Sequence, residues 1–277
     1  RKYLYTTWET DTPPVLWKDY INLYDKLFVS CSMCEEGFRK IGVDIPISIV
    51  PLGVNESLWP YKKRSLTNRP LRFLVFVNAH WSNPRKNISM AFQAFKEAFG
   101  TRDDVELWLK VTNSTGLPPA IEYHSKWFKN IKLIEGRYTQ SELVHLLHQV
   151  DCLIFPSRGE GYGLPPREAM STGIPVVAVN WGGLSSIMKL PFNYSLNFKW
   201  AECIGDNGTK EVVGMNNGNP NFGYWADPSV DHLKEILINI YRNKENLVKV
   251  GEKCANWIRE NETYQHTATK IVEEIQG

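Results

Sequence analysis

Residues 155–183 read FPSRGEGYGLPPREAMSTGIPVVAVNWGG, and this stretch decides the fold. An apolar run, Cys152–Phe155, enters it, and Gly159, Gly161 and Gly163 surround Glu160 in a glycine-rich bend. Pro165 and Pro166 open a short helix that carries Glu168 and closes at Gly173; a second apolar strand follows over Pro175–Val179. Strand, glycine bend, helix and strand in this order place a ligand at the carboxyl edge of a parallel sheet. Glycines let backbone approach a ligand closely, and a helix start favours an anion through oriented N–H groups and partial positive charge. The bend is not the dinucleotide fingerprint, because prolines occupy what would be a regular strand-to-helix turn.

Seven residues separate Glu160 from Glu168. In the bend, Glu160 is placed to accept hydrogen bonds from sugar hydroxyls, and Glu168 on the helix to hold both hydroxyls of a ribose. The plainer alternative leaves Glu160 solvated and lets Glu168 complement the helix dipole. A third possibility makes them the acid and nucleophile of a glycosidase, although a hydrolase has no need of a phosphate-shaped helix start between its carboxylates.

Outward from this stretch the chain alternates strands and helices. Strands are expected at Leu71–Val77, Val105–Val111, Ile131–Ile134 and Asp151–Phe155, with helices at Ile88–Phe99 and Ser141–Gln149 between them. That spacing implies a doubly wound parallel sheet. Arg85-Lys86-Asn87 follows the first of these strands at the start of a helix, where a basic pair opposes the dipole unless it neutralises a leaving diphosphate. Upstream, Asp25–Ser30 and Ile47–Val50 read as buried strands around a helix capped by Ser32 and ended by Gly42, preceded by a helix over Val15–Tyr24 with Leu16, Tyr20 and Leu23 on one face. YKKRSLTNRP, residues 61–70, reads as a linker. Pro191–Asn221 is an irregular insertion with room for a hairpin, and helices are expected at Val230–Tyr241, Leu247–Arg259 and Tyr264–Ile275. The domains are therefore 1–60, a linker 61–70, a ligand-binding domain 71–259, and a terminal helix 260–277 that crosses back to the first.

Composition bounds the function. A net charge of +2 over 277 residues gives no nucleic-acid footprint. Five cysteines, an odd number, suit a reducing compartment better than a disulfide framework. Cys31 and Cys34 form a C-x-x-C at a helix start, which is where a redox motif is expected; no second ligand pair completes a zinc site, and the pair is read as structural. His145 and His148 are surface or core for the same reason. No apolar run approaches the roughly 18 residues of a membrane span, and no signal peptide is visible. A cytoplasmic location follows, with attachment at a membrane surface left open. Six Asn-x-Ser/Thr sequons, at Asn55, Asn87, Asn113, Asn193, Asn207 and Asn261, carry little weight in so polar a chain. The chain starts at Arg1, which fits a processed product and a piece of something longer equally.

The Glu-seven-Glu block resembles the signature of retaining glycosyltransferases of family 4, which have the GT-B fold. The likeness extends back through RYTQSELVHLLHQVDCLIFPS and RKNISMAFQAF and forward to ADPSVDHLKEIL. Further upstream, ETDTPPVLWKDYINLYDKLFVSCSMCEEGFRKIGV and ISIVPLGVNESLWP are similar to the end of such an enzyme's first domain and its crossover. The resemblance implies an α/β, GT-B-type chain: a doubly wound, parallel, Rossmann-like sheet with a partial second β/α domain. It implies a metal-independent hexosyltransferase acting with retention, without a cofactor, on a UDP-, GDP- or ADP-sugar and a glycan, lipid or protein acceptor.

By the same resemblance Glu160 contacts the transferred sugar and Lys86 the diphosphate, as the catalytic pair. Gly161, Tyr162, Gly163 and Leu164 offer backbone groups to sugar and phosphate, Glu168 binds the ribose, and Arg137 and Tyr138 lie near the base. One departure is Asn78-Ala79-His80 where the family has Gly-Arg: either Arg85 or His80 serves as the second phosphate cation, or that cation is lost. The other is the first domain, roughly 150 residues in such enzymes but only about sixty here, so the acceptor side is supplied by the remainder of a larger chain or is missing. A non-catalytic nucleotide-sugar-binding module is the alternative function.

Overall fold

A computed structural model describes residues 1–66, 68–77, 85–112, 119–203 and 223–276. The first sheet has three parallel strands in the order β1 (Tyr3–Thr6), β2 (Lys26–Val29), β3 (Ile47–Ile49). Between them run helices α1 (Trp17–Ile21) and α2 (Ser32–Lys40). The second sheet is built from β4 (Leu71–Val77), β5 (Val105–Val111), β6 (Ile131–Glu135), β7 (Cys152–Phe155), β8 (Val176–Val179) and β9 (Tyr194–Leu196). All six are parallel, in the order β6-β5-β4-β7-β8-β9. Chain order therefore reverses between β4 and β7, and that crevice is where open α/β sheets bind ligands.

Connecting helices are α3 (Ile88–Phe99), α4 (Pro119–Trp127), α5 (Gln140–Leu147), α6 (Leu164–Ser171) and α7 (Ser185–Met188). An antiparallel pair of β10 (Phe198–Glu202) and β11 (Tyr224–Pro228) follows, then α8 (Val230–Arg242), α9 (Leu247–Asn261) and α10 (Tyr264–Gln276). Strand β4, LRFLVFV, is covered on both faces, as a central parallel strand must be. Its Phe73 meets Phe95 and Phe99 of α3 at ring distances of 6.4 and 6.1 Å.

The chain after α9 ties the two sheets together. Tyr264 N donates to Val54 O and Val54 N to Glu262 O, at 3.2 and 2.9 Å, so the chain after α9 runs beside the start of the crossover. Gly53 permits this: a Cβ there would sit 2.3 Å from Thr263 backbone. Helix α10 then reaches the first sheet, where Lys26 and Glu274 pair at 2.7 Å. Residues 61–66 and 68–70 carry no helix or strand, yet are fastened down. Arg64 is buried and donates to the carbonyls of Val150, Thr172, Gly173 and Leu147 at 2.9–3.0 Å. Arg69 grips the fully buried Asp151 with two nitrogens.

Several local expectations change. Strand β1 was not foreseen, because YLYT is half-buried throughout and offers no apolar run. Helix α1 is a single turn and a half. Leu16, Tyr20 and Leu23 lie on its solvent side, while Trp17 and Ile21 face inward, Trp17 against Trp8 at 5.1 Å. Ser32 does not cap α2: the cap position is Cys31, in extended backbone, without a side-chain hydrogen bond. Helix α4 begins at Pro119, where a loop was expected; Ile121 is its buried apolar anchor. Within Pro191–Asn221, β9 joins the main sheet beside β8, and β10 pairs with β11 beyond the end of that stretch.

Candidate functional site

At the carboxyl edge, over the β4–β7 crevice, opens a cavity of about 500 Å3. Val77 at the end of β4 and Phe155 at the end of β7 lie beneath it, Lys110 and Thr112 come from the end of β5, and Gly136, Arg137 and Tyr138 from the loop after β6. Lys86, just before α3, and Pro165 and Glu168, on the first turns of α6, complete the opposite wall with Trp59 from the crossover. Of the residues named from sequence, Lys86, Arg137, Tyr138 and Glu168 thus share one cavity. Its volume fits a drug-sized ligand.

Glu168 is the unusual group. Its carboxylate accepts no hydrogen bond among the described residues, and burial pushes its pKa up to about 7. A half-desolvated carboxyl without a partner is prepared for a donor that arrives from outside. Across the cavity Lys110 is buried, donating to the carbonyls of Val111 (3.0 Å) and Gly136, with its ammonium 4.1 Å from the Tyr138 ring centre. Burial lowers its pKa.

Glu160 is arranged differently. It is buried, and its Oε1 accepts from Arg85 Nη1 at 2.8 Å, Lys86 Nζ at 2.5 Å and Ser157 Oγ at 2.6 Å. Arg85 also reaches Gly159 O (2.7 Å) and, across the gap between the sheets, Glu9 at 3.1 Å. Glu9, whose own carboxyl is raised by burial, is the first sheet's contribution to this cluster. Lys86 therefore stands between two carboxylates, bonded to Glu160 and facing the same cavity as Glu168.

The glycine bend is pressed against the first sheet's loop. A Cβ on Gly159 would lie 1.9 Å from Glu9 O, and one on Gly161 1.9 Å from Thr7 Oγ1. What approaches these glycines closely is protein backbone and side chain, in addition to any ligand. Gly163 holds φ +83° as the cap of α6. The helix begins at Leu164, so its next two residues are prolines without N–H, and the first turn offers an anion one amide from these three positions. Tyr162 points away from the cavity, its hydroxyl donating to Glu262 at 2.9 Å, and Leu164 is exposed. Gly159→Ala is expected to destabilise the protein by about 1–3 kcal/mol, because Glu9 backbone must move. An unchanged denaturation midpoint would show that the two sheets separate freely.

Several contributors were not read from the sequence. Lys110 looked like an ordinary strand residue, and Trp59 like part of the crossover. Arg167, fully buried beneath the bend, is invisible without its distant partner Glu262. Asn78, Ala79, His80, Asn113 and Asn207 lie outside the described residues. No helix among the described residues is long and apolar enough to cross a membrane.

Residues 72–191 match the family described as glycosyl transferases group 1. The MMP alpha-(1->4)-mannosyltransferase of Mycolicibacterium hassiacum is 28% identical over 142 residues, covering 51% of this chain and 33% of that one. The glycogen synthase of Mycobacterium tuberculosis is 26% identical over 158 residues, or 56% of this chain and 37% of the relative. The crystal structure of Anabaena HepE with UDP and glucose superposes with a TM-score of 0.70 at 12% identity, covering 94% of this chain and 66% of that one. The fold is the GT-B-type α/β fold, with one doubly wound sheet and a smaller second β/α unit. The chain spans about a third of the length of these two curated relatives.

Proposed function

We propose that this chain is the donor half of a metal-independent glycosyltransferase that moves a hexose from a UDP-, GDP- or ADP-sugar to a glycan, lipid or protein acceptor with retention. The observation that carries it is the cavity at the β4–β7 crevice, with an ammonium, Lys86, and a carboxyl, Glu168, that has no hydrogen-bond partner among the described residues, on one wall. In this reading Glu168 accepts from both ribose hydroxyls, Arg137 and Tyr138 border the base, and Lys86 meets the diphosphate. As the bond to the sugar breaks, negative charge grows on the departing diphosphate, and a preplaced ammonium stabilises that charge more than it stabilises the ground state. Arg85, already beside Glu160, is the second cation of the group. Glu160 and the Gly161–Leu164 backbone complete the sugar side.

Attack from the same face, with the donor phosphate receiving the acceptor's proton, gives retention without a protein nucleophile. NMR of the product anomer, with and without a chelator, tests both features. The second function is a nucleotide-sugar-binding module without turnover, in which the same cavity holds the donor. Binding of donor with no transfer to any acceptor would establish it.

The raised Glu168 carboxyl sets a pH signature. The form that accepts ribose hydroxyls is the charged one, so the affinity for a nucleotide sugar is expected to rise as pH passes through about 7. Near neutrality binding then releases up to one proton, visible by calorimetry in buffers of different ionisation heat. Glu168→Gln removes both effects and lowers affinity about tenfold. For stability the sign is opposite. A carboxyl whose folded pKa exceeds its unfolded value, about 4.3, stabilises the fold at low pH and loses that contribution as pH rises through about 7. Affinity that is flat across neutral pH in the unmodified protein would remove Glu168 from the ribose site.

A further inference from the structure

Cys31 and Cys34 stand where the first sheet meets the glycine bend, and donor binding makes no use of them. Cys31 is the cap of α2 and Cys34 lies in its first turn, so the two thiols occupy one end of the helix. Their sulfurs are 3.5 Å apart, with the Cys31 thiol donating to Cys34 Sγ. Cys31 is half-buried and reachable by a small reagent, while Cys34 is buried. Around Cys34 Sγ converge Trp8 N at 3.4 Å, Thr7 Oγ1 at 3.4 Å and Ser30 Oγ at 3.7 Å. The hydrogen bond from Cys31 and these neighbours lower the Cys34 pKa to about 6, whereas Cys31, which keeps the shared proton, is raised. Among the described residues no group of three His, Cys, Asp or Glu is placed to hold a metal ion, so the pair has the makings of a dithiol. Behind it, Ser30 Oγ donates to Gly161 O at 2.5 Å, with Cys34 Sγ 3.9 Å from the same oxygen.

We propose that Cys31 and Cys34 form a thiol–disulfide exchange site whose oxidant is a low-molecular-weight disulfide of the glutathione class, and that its redox state is transmitted through Ser30 to the backbone of Gly161. Cys31 passes its proton to Cys34 and attacks one sulfur of the oxidant. One glutathione thiolate leaves and takes a proton, and a mixed disulfide stays on Cys31. The Cys34 sulfur then attacks the Cys31 sulfur and expels the second glutathione thiolate, which is protonated in turn. One protein thiol and one thiolate become a disulfide, and one glutathione disulfide becomes two thiols, the second proton coming from water. Closing the sulfurs to about 2.05 Å takes from Trp8 and Thr7 the acceptor they now share and shifts the sulfur that lies 3.7 Å from Ser30 Oγ, the group that holds Gly161.

The test uses the folded chain, equilibrated with oxidised and reduced glutathione and mapped by mass spectrometry after alkylation. The expected product is an internal Cys31–Cys34 disulfide, with the buried Cys152, Cys203 and Cys254 unmodified. Cys34→Ser should instead accumulate glutathione on Cys31, and Cys31→Ser should accumulate neither. Hydrogen exchange of the unmodified protein, read on peptides covering 157–164, should quicken by about threefold or more on oxidation and recover on reduction. Absence of the internal disulfide in the folded protein overturns the exchange site. A disulfide that leaves exchange at 157–164 unchanged overturns the link to Gly161. Neither measurement involves a nucleotide sugar, so neither outcome depends on the donor site.

Discussion

Glu262→Ala is expected to cost about 3–5 kcal/mol of stability, because it strands the fully buried Arg167 guanidinium. Arg167 donates to Glu262, to the carbonyls of Tyr162 and Gly183 and to Ser186 Oγ, and lies 3.7 Å from the Tyr162 ring centre. Glu262 also accepts from the hydroxyls of Tyr162, at 2.9 Å, and Ser186, at 3.2 Å. Without the carboxylate, the guanidinium keeps neutral acceptors but no counter-charge, and the Tyr162 hydroxyl loses its partner. Arg167→Ala should cost a similar amount for the mirror reason. The double variant Arg167→Met/Glu262→Leu should recover a large part of either loss, since no buried charge is left unpaired. Guanidinium-chloride midpoints of the four proteins measure this. Strict additivity, with the double variant losing the sum, would mean that the pair acts through something other than mutual neutralisation. Because Glu262 lies between α9 and α10, the same substitutions should also loosen the return of α10 to the first sheet.

This pair marks the limit of what the sequence makes legible. Strands β4 and β5 and helix α3 have the bounds expected from pattern, because a strand covered on both faces is an unbroken apolar run and α3 keeps a clean helical stripe. Strand β1 escaped because its covering comes from other parts of the chain, and α1 was turned to the wrong face because aromatics occupy both of its sides. Local motifs name side chains at strand ends and helix starts, which is why Lys86 and Glu168 could be singled out, with Arg137 and Tyr138 added by the family resemblance, before their common cavity was visible. Arg167 and Glu262 are 95 residues apart, and no local signal joins them. Gly159 and Gly161 were recognisable as positions that exclude a side chain. That Glu9 and Thr7 fill the excluded space belongs to the contact between the two sheets.

Lys86→Ala should weaken UDP-glucose and UDP binding alike by about ten- to a hundredfold, equivalent to one charge-assisted contact of about 1.5–3 kcal/mol. Glu160→Gln should act in the opposite direction on UDP. Glu160 Oε1 holds Lys86 at 2.5 Å and Arg85 at 2.8 Å, so a diphosphate must compete with a buried carboxylate for both cations. Removing that charge frees the cations and should tighten UDP several-fold while steepening the salt dependence of binding. The nucleotide sugar should not gain in the same way if Glu160 accepts hydroxyls of the hexose, because the glutamine loses one acceptor just where the sugar needs it. Titrating UDP and UDP-glucose into both variants therefore separates the two roles of this carboxylate. Equal tightening of both ligands by Glu160→Gln would leave Glu160 only the task of restraining Arg85 and Lys86. Weakening of both, to the extent seen with Lys86→Ala, would mean that the buried carboxylate orients the ammonium toward the phosphates, with Ser157, 2.6 Å from the same oxygen, helping to hold it there.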